Sequence, residues 1–390
     1  MDVLSPTIAI PPAPADQLAR QSVARVADRL AWAVLAMLAI IAALTVTLSH
    51  NSACTAAPEP PAGAALMKAV VYRCYGSPDV AKLESLPKPT PADGQMLVKV
   101  RAASVNPLDW HYLRGEPYIM RMSVGIGAPK DIRLGVDYAG VVEAVGKGVT
   151  RYKPGDEIFG GADGSFGEYV IVREGGSVAL KPANVTFEQA AAVPIAAITA
   201  LQALRDQGKV QAGQKVLING ASGGVGTFAI QLARHFGAEV TAVCSGRNAA
   251  LVRSLGANQV IDYTRQDVTR GPQRYDLIID TVGTHTTHEF RRVLPPQGTL
   301  VIVGAASAGR WIGGLSGALQ AMIVSPFVSQ KVGFFLAKLN HDDLDYLGKL
   351  MADGKLVSVI DRSYPLAQTA EALRYVEAGH SRGKVVIAID

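Results

Sequence analysis

The chain has 390 residues, 49% apolar and 18% charged, which excludes a disordered chain and leaves ample material for a core. Its net charge is +5, but Lys and Arg are scattered, with no basic run longer than a pair such as Arg291-Arg292. No aromatic–basic interleaving occurs, so no nucleic-acid partner is expected. The three cysteines, Cys54, Cys74 and Cys244, form no C-x-x-C and no zinc-cage spacing. They read as small buried hydrophobes in a reducing compartment.

Residues 1–66 differ from the rest. Pro- and Ala-rich segments flank an uncharged run, Leu30 to Leu48, of a length that suits one membrane-spanning helix. Arg20, Arg25 and Arg29 precede the run, and no Lys or Arg follows it until Lys68. The positive-inside rule then exports everything downstream, against the cytoplasmic placement expected of the α/β domain that follows. The expectation is a membrane-anchored chain with a cytoplasmic catalytic domain; the alternative is a soluble cytoplasmic chain translated from Met67.

Met67-Lys-Ala-Val-Val-Tyr-Arg73 predicts a first strand. From there to about 185 short strands and turns follow closely: Met96–Ala102 alternates with period two, Val136–Val145 is apolar, and a Pro154-Gly155 turn precedes Ile158-Phe159. From Phe187 the periodicity becomes helical, over Glu188–Pro194 and Thr199–Arg205. Strands and helices then alternate (215–219, 226–236, 239–243, 248–255, 259–262, 276–280, 285–293, 299–303), the pattern of a doubly wound parallel sheet. Residues 305–335, Gly-rich and then apolar (Trp311-Ile-Gly-Gly-Leu, Phe327 to Phe335), read as a wall of the substrate cleft or a subunit contact. The final run, Gly383–Ile389, is a strand expected to return to the first domain.

The most specific stretch is Gly220-Ala-Ser-Gly-Gly-Val-Gly226 between strand Lys215–Asn219 and a helix. Strand, glycine turn and helix together form the context of a dinucleotide-binding fingerprint. Ser222, Gly223, Gly224, Val225 and Gly226 are the candidate pyrophosphate binders, at a helix start that offers free N–H groups. The second strand, Glu239–Val243, ends in Cys244-Ser-Gly-Arg247-Asn248 with no acidic residue to hold a ribose 2′-hydroxyl. Ser245 and Arg247 suit a 2′-phosphate instead, so NADPH is the expected cofactor; the competing reading makes Arg247 a solvated loop cation. Gly283 and Gly304 stand at the carboxyl ends of two further strands, where a backbone can approach the cofactor or simply turn.

These pieces resemble the medium-chain dehydrogenase/reductase superfamily, in its zinc-independent quinone oxidoreductase (zeta-crystallin-like) branch. The likeness covers Met67 to Asp390 and rests on Ser104-Val-Asn-Pro-Leu-Asp109, Gly135-Val-Asp-Tyr-Ala-Gly140, Pro154-Gly-Asp156, Ala191–Ala200, the glycine turn, Val260-Ile-Asp-Tyr263, Asp280-Thr-Val-Gly283 and Gly383-Lys-Val-Val386. The resemblance implies an α/β chain: a GroES-like, mostly β domain (67–190, completed by 336–390) and a Rossmann domain (191–335), after the 1–66 extension. It implies Tyr263 near the adenine, and Thr199 and Asn106 at the nicotinamide end. Zinc-bearing relatives place a Cys at position 106 and Gly-His-Glu at 135–137, so no zinc is expected here. His285 and His288 are three apart with no third ligand nearby. The expected reaction is hydride transfer to a quinone or an α,β-unsaturated carbonyl. Asn106, His111 and Tyr112 are the catalytic candidates, Trp110 and Tyr118 further donors, and a homodimer the family expectation. Alternatives are an NADP-dependent alcohol or aldehyde oxidoreductase and a non-catalytic NADPH-binding module.

Overall fold

A computed structural model describes residues 15–304, 309–311, 313 and 328–390. The chain divides into two compact units, Met1–His50 and Asn51–Asp390.

The described part of the first unit is one helix, Ala15–Ser49, of 35 residues. It starts earlier than the apolar run predicts, because the Arg- and Ala-rich turns before Leu30 are also good helix formers. Its apolar stretch, Val23–Ser49, exceeds the roughly 20 residues that a bilayer core requires. Leu30, Trp32, Leu38 and Ile40 are all more than half exposed, so no protein core accounts for them. Two hydroxyls are satisfied within the helix: Thr45 Oγ1 donates to the Ile41 carbonyl and Ser49 Oγ to the Thr45 carbonyl, both at 2.7 Å. A segment surrounded by hydrocarbon needs that closure.

The second unit is built on two large sheets. One runs in the order Ile360–Pro365, Lys384–Ala388, Gln95–Val105, Asp137–Val145, Glu157–Gly161, Val178–Leu180, with Tyr169–Arg173 also paired to Gln95–Val105. The last strand returns antiparallel onto Gln95–Val105, Val386 opposite Ser104, as the sequence predicts. The other sheet is parallel throughout: Gln259–Asp262, Glu239–Cys244, Lys215–Asn219, Leu277–Asp280, Thr299–Ile302, Lys331–Phe334. Leu277-Ile-Ile-Asp280 is buried at every position, as a strand covered on both faces must be. Helix Gly224–His235 packs Phe228, Ile230 and Leu232 into the core shared with Val216 and Ile218.

Two expectations need correction. Lys331–Phe334, for which the sequence predicts no strand, is the sixth parallel strand, on Thr299–Ile302; four residues at a sheet edge carry too little pattern to announce a strand. The rest of the 305–335 expectation, beyond 309–311, 313 and 328–335, lies outside the described residues. Cys54 and Cys74 are not free thiols but a disulfide, and Cys244 alone is free and buried. The reason is tertiary. The segment after the long helix lies along the second unit, with the Ser52 amide donating to the Gly127 carbonyl (2.8 Å), and this brings residue 54 to residue 74.

Candidate active site

The glycine turn joins strand Lys215–Asn219 to helix Gly224–His235. Its glycines are there for different reasons. Gly220 has φ +80°, a conformation that side-chain-bearing residues rarely adopt. At Gly226 a Cβ would lie 2.2 Å from the Gly220 carbonyl oxygen, so internal packing demands glycine. Gly223 has neither excuse: φ is −82°, and a Cβ would meet only the Gly220 oxygen, at 3.4 Å. A glycine that the protein does not itself require, at the first turn of a helix, fits a ligand's need for close backbone approach. Val225 lies within that turn, half-buried. The residues present thus fit a dinucleotide pyrophosphate.

Beside the turn, Ser222 and Ser245 are brought together by Asn248. Its Nδ2 donates to Ser222 Oγ (2.9 Å) and Ser245 Oγ (3.3 Å), while its buried Oδ1 has no partner. Arg247 is exposed beside them. Tyr263 is 58% exposed, and its amide donates to the Cys244 carbonyl, which places it at the end of the neighbouring strand. Asp280 organises the next loop: its buried carboxylate accepts Asn219 Nδ2 (2.9 Å) and the amides of Val282 and Gly283 (3.2 and 3.0 Å). Gly283 has φ +75°, and a Cβ on Gly304 would approach the Thr281 carbonyl oxygen to 2.6 Å, so local geometry accounts for both glycines.

The opposite end of the site is a buried polar cluster that the sequence shows only in fragments. Asn106 Nδ2 donates to Asp137 Oδ2 (2.8 Å), and Asn106 Oδ1 accepts from Lys384 Nζ (2.6 Å). Asp137 also accepts from Ser104 Oγ (3.0 Å) and the Ile195 amide at the start of helix Pro194–Gln202 (3.0 Å), and it faces Lys384 Nζ at 3.5 Å. Lys384 is 3% exposed and Asp137 fully buried. Burial pushes the Asp137 carboxyl up and the Lys384 ammonium down; each one's charge opposes the shift of the other. Asp109 accepts the Asn106 amide through Oδ2 (2.7 Å), its Oδ1 is unpartnered, and burial pushes it up to about 7. Thr199 lies buried in helix Pro194–Gln202.

Lys384 connects the two ends. The Gly383 amide donates to the Ser222 carbonyl in the glycine turn (2.8 Å), and the Lys384 stem lies 3.1 Å from where a Cβ on Gly224 would stand. From there its ammonium reaches Asn106.

Helix Pro107–Arg114 carries the remaining candidates. His111 Nδ1 is 2.7 Å from the Glu116 carbonyl oxygen, and burial lowers its pKa below the ordinary value. A neutral ring donating through Nδ1 leaves Nε2 as an acceptor, so His111 is poorly suited to deliver a proton. Trp110 stacks on it, ring centroids 3.7 Å apart. Tyr112 is half-buried, with its hydroxyl pKa raised by burial. Tyr118 packs edge-on to Trp311 at 5.0 Å.

The donor set does not fit a catalytic zinc. Positions 106 and 136 hold an amide and a valine, and the one carboxylate among them, Asp137, is bonded to Lys384 and Asn106. His285 lies 3.3 Å from Asp267, and among the described residues no three His, Cys, Asp or Glu converge on a metal position.

Sequence reasoning missed Lys384, Asp137 and Asn248 as members of the site. Lys384 and Asp137 stand inside motifs already singled out; the missing signal was pairing between segments 247 residues apart.

Comparisons with known proteins identify the family and the fold. Residues 92–183 match the family described as alcohol dehydrogenase GroES-like domain, and residues 255–387 the family described as zinc-binding dehydrogenase. The chain is 35% identical over 341 residues to the chloroplastic NADPH-dependent alkenal/one oxidoreductase of Arabidopsis thaliana, covering 82% of this chain and 79% of that protein. It is 32% identical over 341 residues to the chloroplast envelope quinone oxidoreductase homolog of the same plant, covering 83% and 98%. The solved quinone oxidoreductase of Coxiella burnetii superposes with a TM-score of 0.74 at 32% identity, covering 84% of this chain and all of that one.

Proposed function

The chain belongs to the medium-chain dehydrogenase/reductase superfamily, in its quinone oxidoreductase branch, and we propose that it is an NADPH-dependent reductase delivering hydride to a quinone or to the β-carbon of an α,β-unsaturated carbonyl. One observation carries the reading. A glycine turn suited to a pyrophosphate is tied through Gly383 and Lys384 to a cage built on Asn106, where zinc-bearing relatives need a thiolate.

Bound NADPH would supply the hydride from its nicotinamide ring. Ser222 and Gly223 to Gly226, at the start of helix Gly224–His235, would hold the pyrophosphate, while Ser245 and Arg247 would take the adenosine phosphate. Asn106 and Thr199 bound the nicotinamide end, and Lys384 and Asp137 fix the Asn106 amide in one orientation. This donor set offers no Lewis acid for an alkoxide. An acceptor that spreads developing charge onto an enolate or quinol oxygen needs only hydrogen-bond donors. Tyr112 and Trp110, on the helix that follows Asn106, are the candidate donors, with His111 a candidate acceptor.

The full chain in detergent or nanodiscs is supplied with NADPH and a panel of quinones, enones, alcohols and aldehydes. Turnover with quinones or enones at least about tenfold above the other classes, and a lower KM for NADPH than for NADH, is the expected result. Preference for alcohols rejects it in favour of an alcohol oxidoreductase. NADPH binding with no turnover leaves a non-catalytic module.

The helix Ala15–Ser49 serves in this reading as a single-pass anchor, with the catalytic unit on the cytoplasmic face where NADPH is held. A second reading, the exported face, is favoured by the Cys54–Cys74 disulfide and by Arg25 and Arg29, which stand in the helix ahead of its uncharged run. Protease added to intact cells cleaves the catalytic unit only if it is exported. Association into homodimers is the family's habit, and sedimentation of the purified chain tests it.

A further inference from the structure

The second unit exposes ten large apolar residues among those described, and four of them cluster: Ile119, Met122 and Ile126 in one eight-residue segment, and Trp311 bonded to it. The Ile119 amide donates to the Trp311 carbonyl (3.4 Å), and the Trp311 ring meets Tyr118. Scattered apolar residues need no explanation; a cluster does.

The same segment is where the chain arrives from the apolar helix. That helix ends at Ser49, and the Ser52 amide is bonded to the Gly127 carbonyl, next to Ile126. The linker is therefore held at the end of this segment, three residues after the helix ends. A second tie keeps it there: Cys54 is bonded to Cys74, and Tyr75 Oη donates to the Gly125 carbonyl (2.7 Å). Charge contributes little, because Arg310 pairs with Glu116 (3.4 Å) and Lys130 stands beside Asp131.

We propose that Ile119, Met122, Ile126 and Trp311 form a bilayer-docking surface that rests in the lipid interface of the membrane that the helix anchors. The segment follows helix Pro107–Arg114 directly, and His111 is bonded to Glu116, so docking brings the substrate end of the site to the membrane. The substrate class that follows is an acceptor dissolved in lipid. The proposal rests on the anchor reading given above.

Single cysteines are placed at Leu38, Met122, Ile126 and, as a control, exposed Leu180, and labelled with an environment-sensitive fluorophore in full chains reconstituted into phosphatidylcholine vesicles. Lipids spin-labelled near the headgroup or deep in the chain serve as quenchers. Docking predicts deep quenching at 38, shallow quenching of at least twofold at 122 and 126, none at 180, and no change in 0.5 M salt. Quenching at 38 without 122 and 126 overturns docking and leaves the anchor. No quenching at 38 overturns both. Equal quenching at 180 means unspecific adsorption and also overturns it. In the paired Met122→Asp, Ile126→Asp variant, the rate with a long-chain quinone in vesicles should fall at least threefold while that with a water-soluble quinone stays unchanged. Equal change with both quinones overturns the link to substrate.

Discussion

The glycine turn and the Asn106 cluster, the two ends of the proposed site, are built in opposite ways. The turn is nearly all backbone: its glycines clear space, and in the proposed reading N–H groups at the start of a helix take a phosphate. The cluster is nearly all side chain, with an amide, two carboxylates and an ammonium closing on one another out of water. A backbone site tolerates the loss of any one contact but not added bulk. A buried ionic cage tolerates bulk poorly and the loss of one charge worst of all, because the partner is left stranded.

Removing Lys384 should therefore have the largest effect. Lys384→Met leaves Asp137 buried without its cation and should cost about 3–5 kcal/mol in urea unfolding. The double variant Asp137→Asn, Lys384→Met should recover most of that loss; if it is no more stable than the single one, the pair is not coupled.

Asp109 sharpens the comparison through pH. Burial holds its carboxyl near 7, above the ~3.9 of a free aspartate, so the folded chain keeps a proton that the unfolded chain releases. The stability tied to this group is fully present below about pH 4 and is lost as pH rises through about 7. The gain of Asp109→Asn over the natural chain in urea midpoint should accordingly widen from pH 4 to pH 7 and then level off. A constant difference across that range would show that Asp109 is ionised throughout.

The turn should respond differently at two neighbouring positions. Gly226→Ala drives a methyl against the Gly220 carbonyl and should lower stability by about 1–3 kcal/mol. Gly223→Ala has room within the protein, so stability should stay within about 0.5 kcal/mol while NADPH affinity drops by about tenfold. Unchanged affinity in Gly223→Ala would remove the turn from the cofactor site. The smallest effect is expected at Arg247, which is exposed and in water. Arg247→Ala should raise the KM for NADPH several-fold and leave that for NADH alone.

Much of this protein could be read from residue order. Tyr275-Asp-Leu-Ile-Ile-Asp280, Thr299-Leu-Val-Ile-Val303 and the glycine turn announce a parallel sheet and a nucleotide, because strand burial and turn geometry are local demands on neighbouring residues. The long apolar run before residue 50 is equally legible, since length and hydropathy belong to the segment alone. What folding alone decided is every pairing across distance. Cys54 meets Cys74 where the linker runs along the second unit, and Lys384 meets Asn106 where the last strand returns beside Gln95–Val105. A side chain's charge state and partner depend on what the rest of the chain packs around it, and no local pattern carries that.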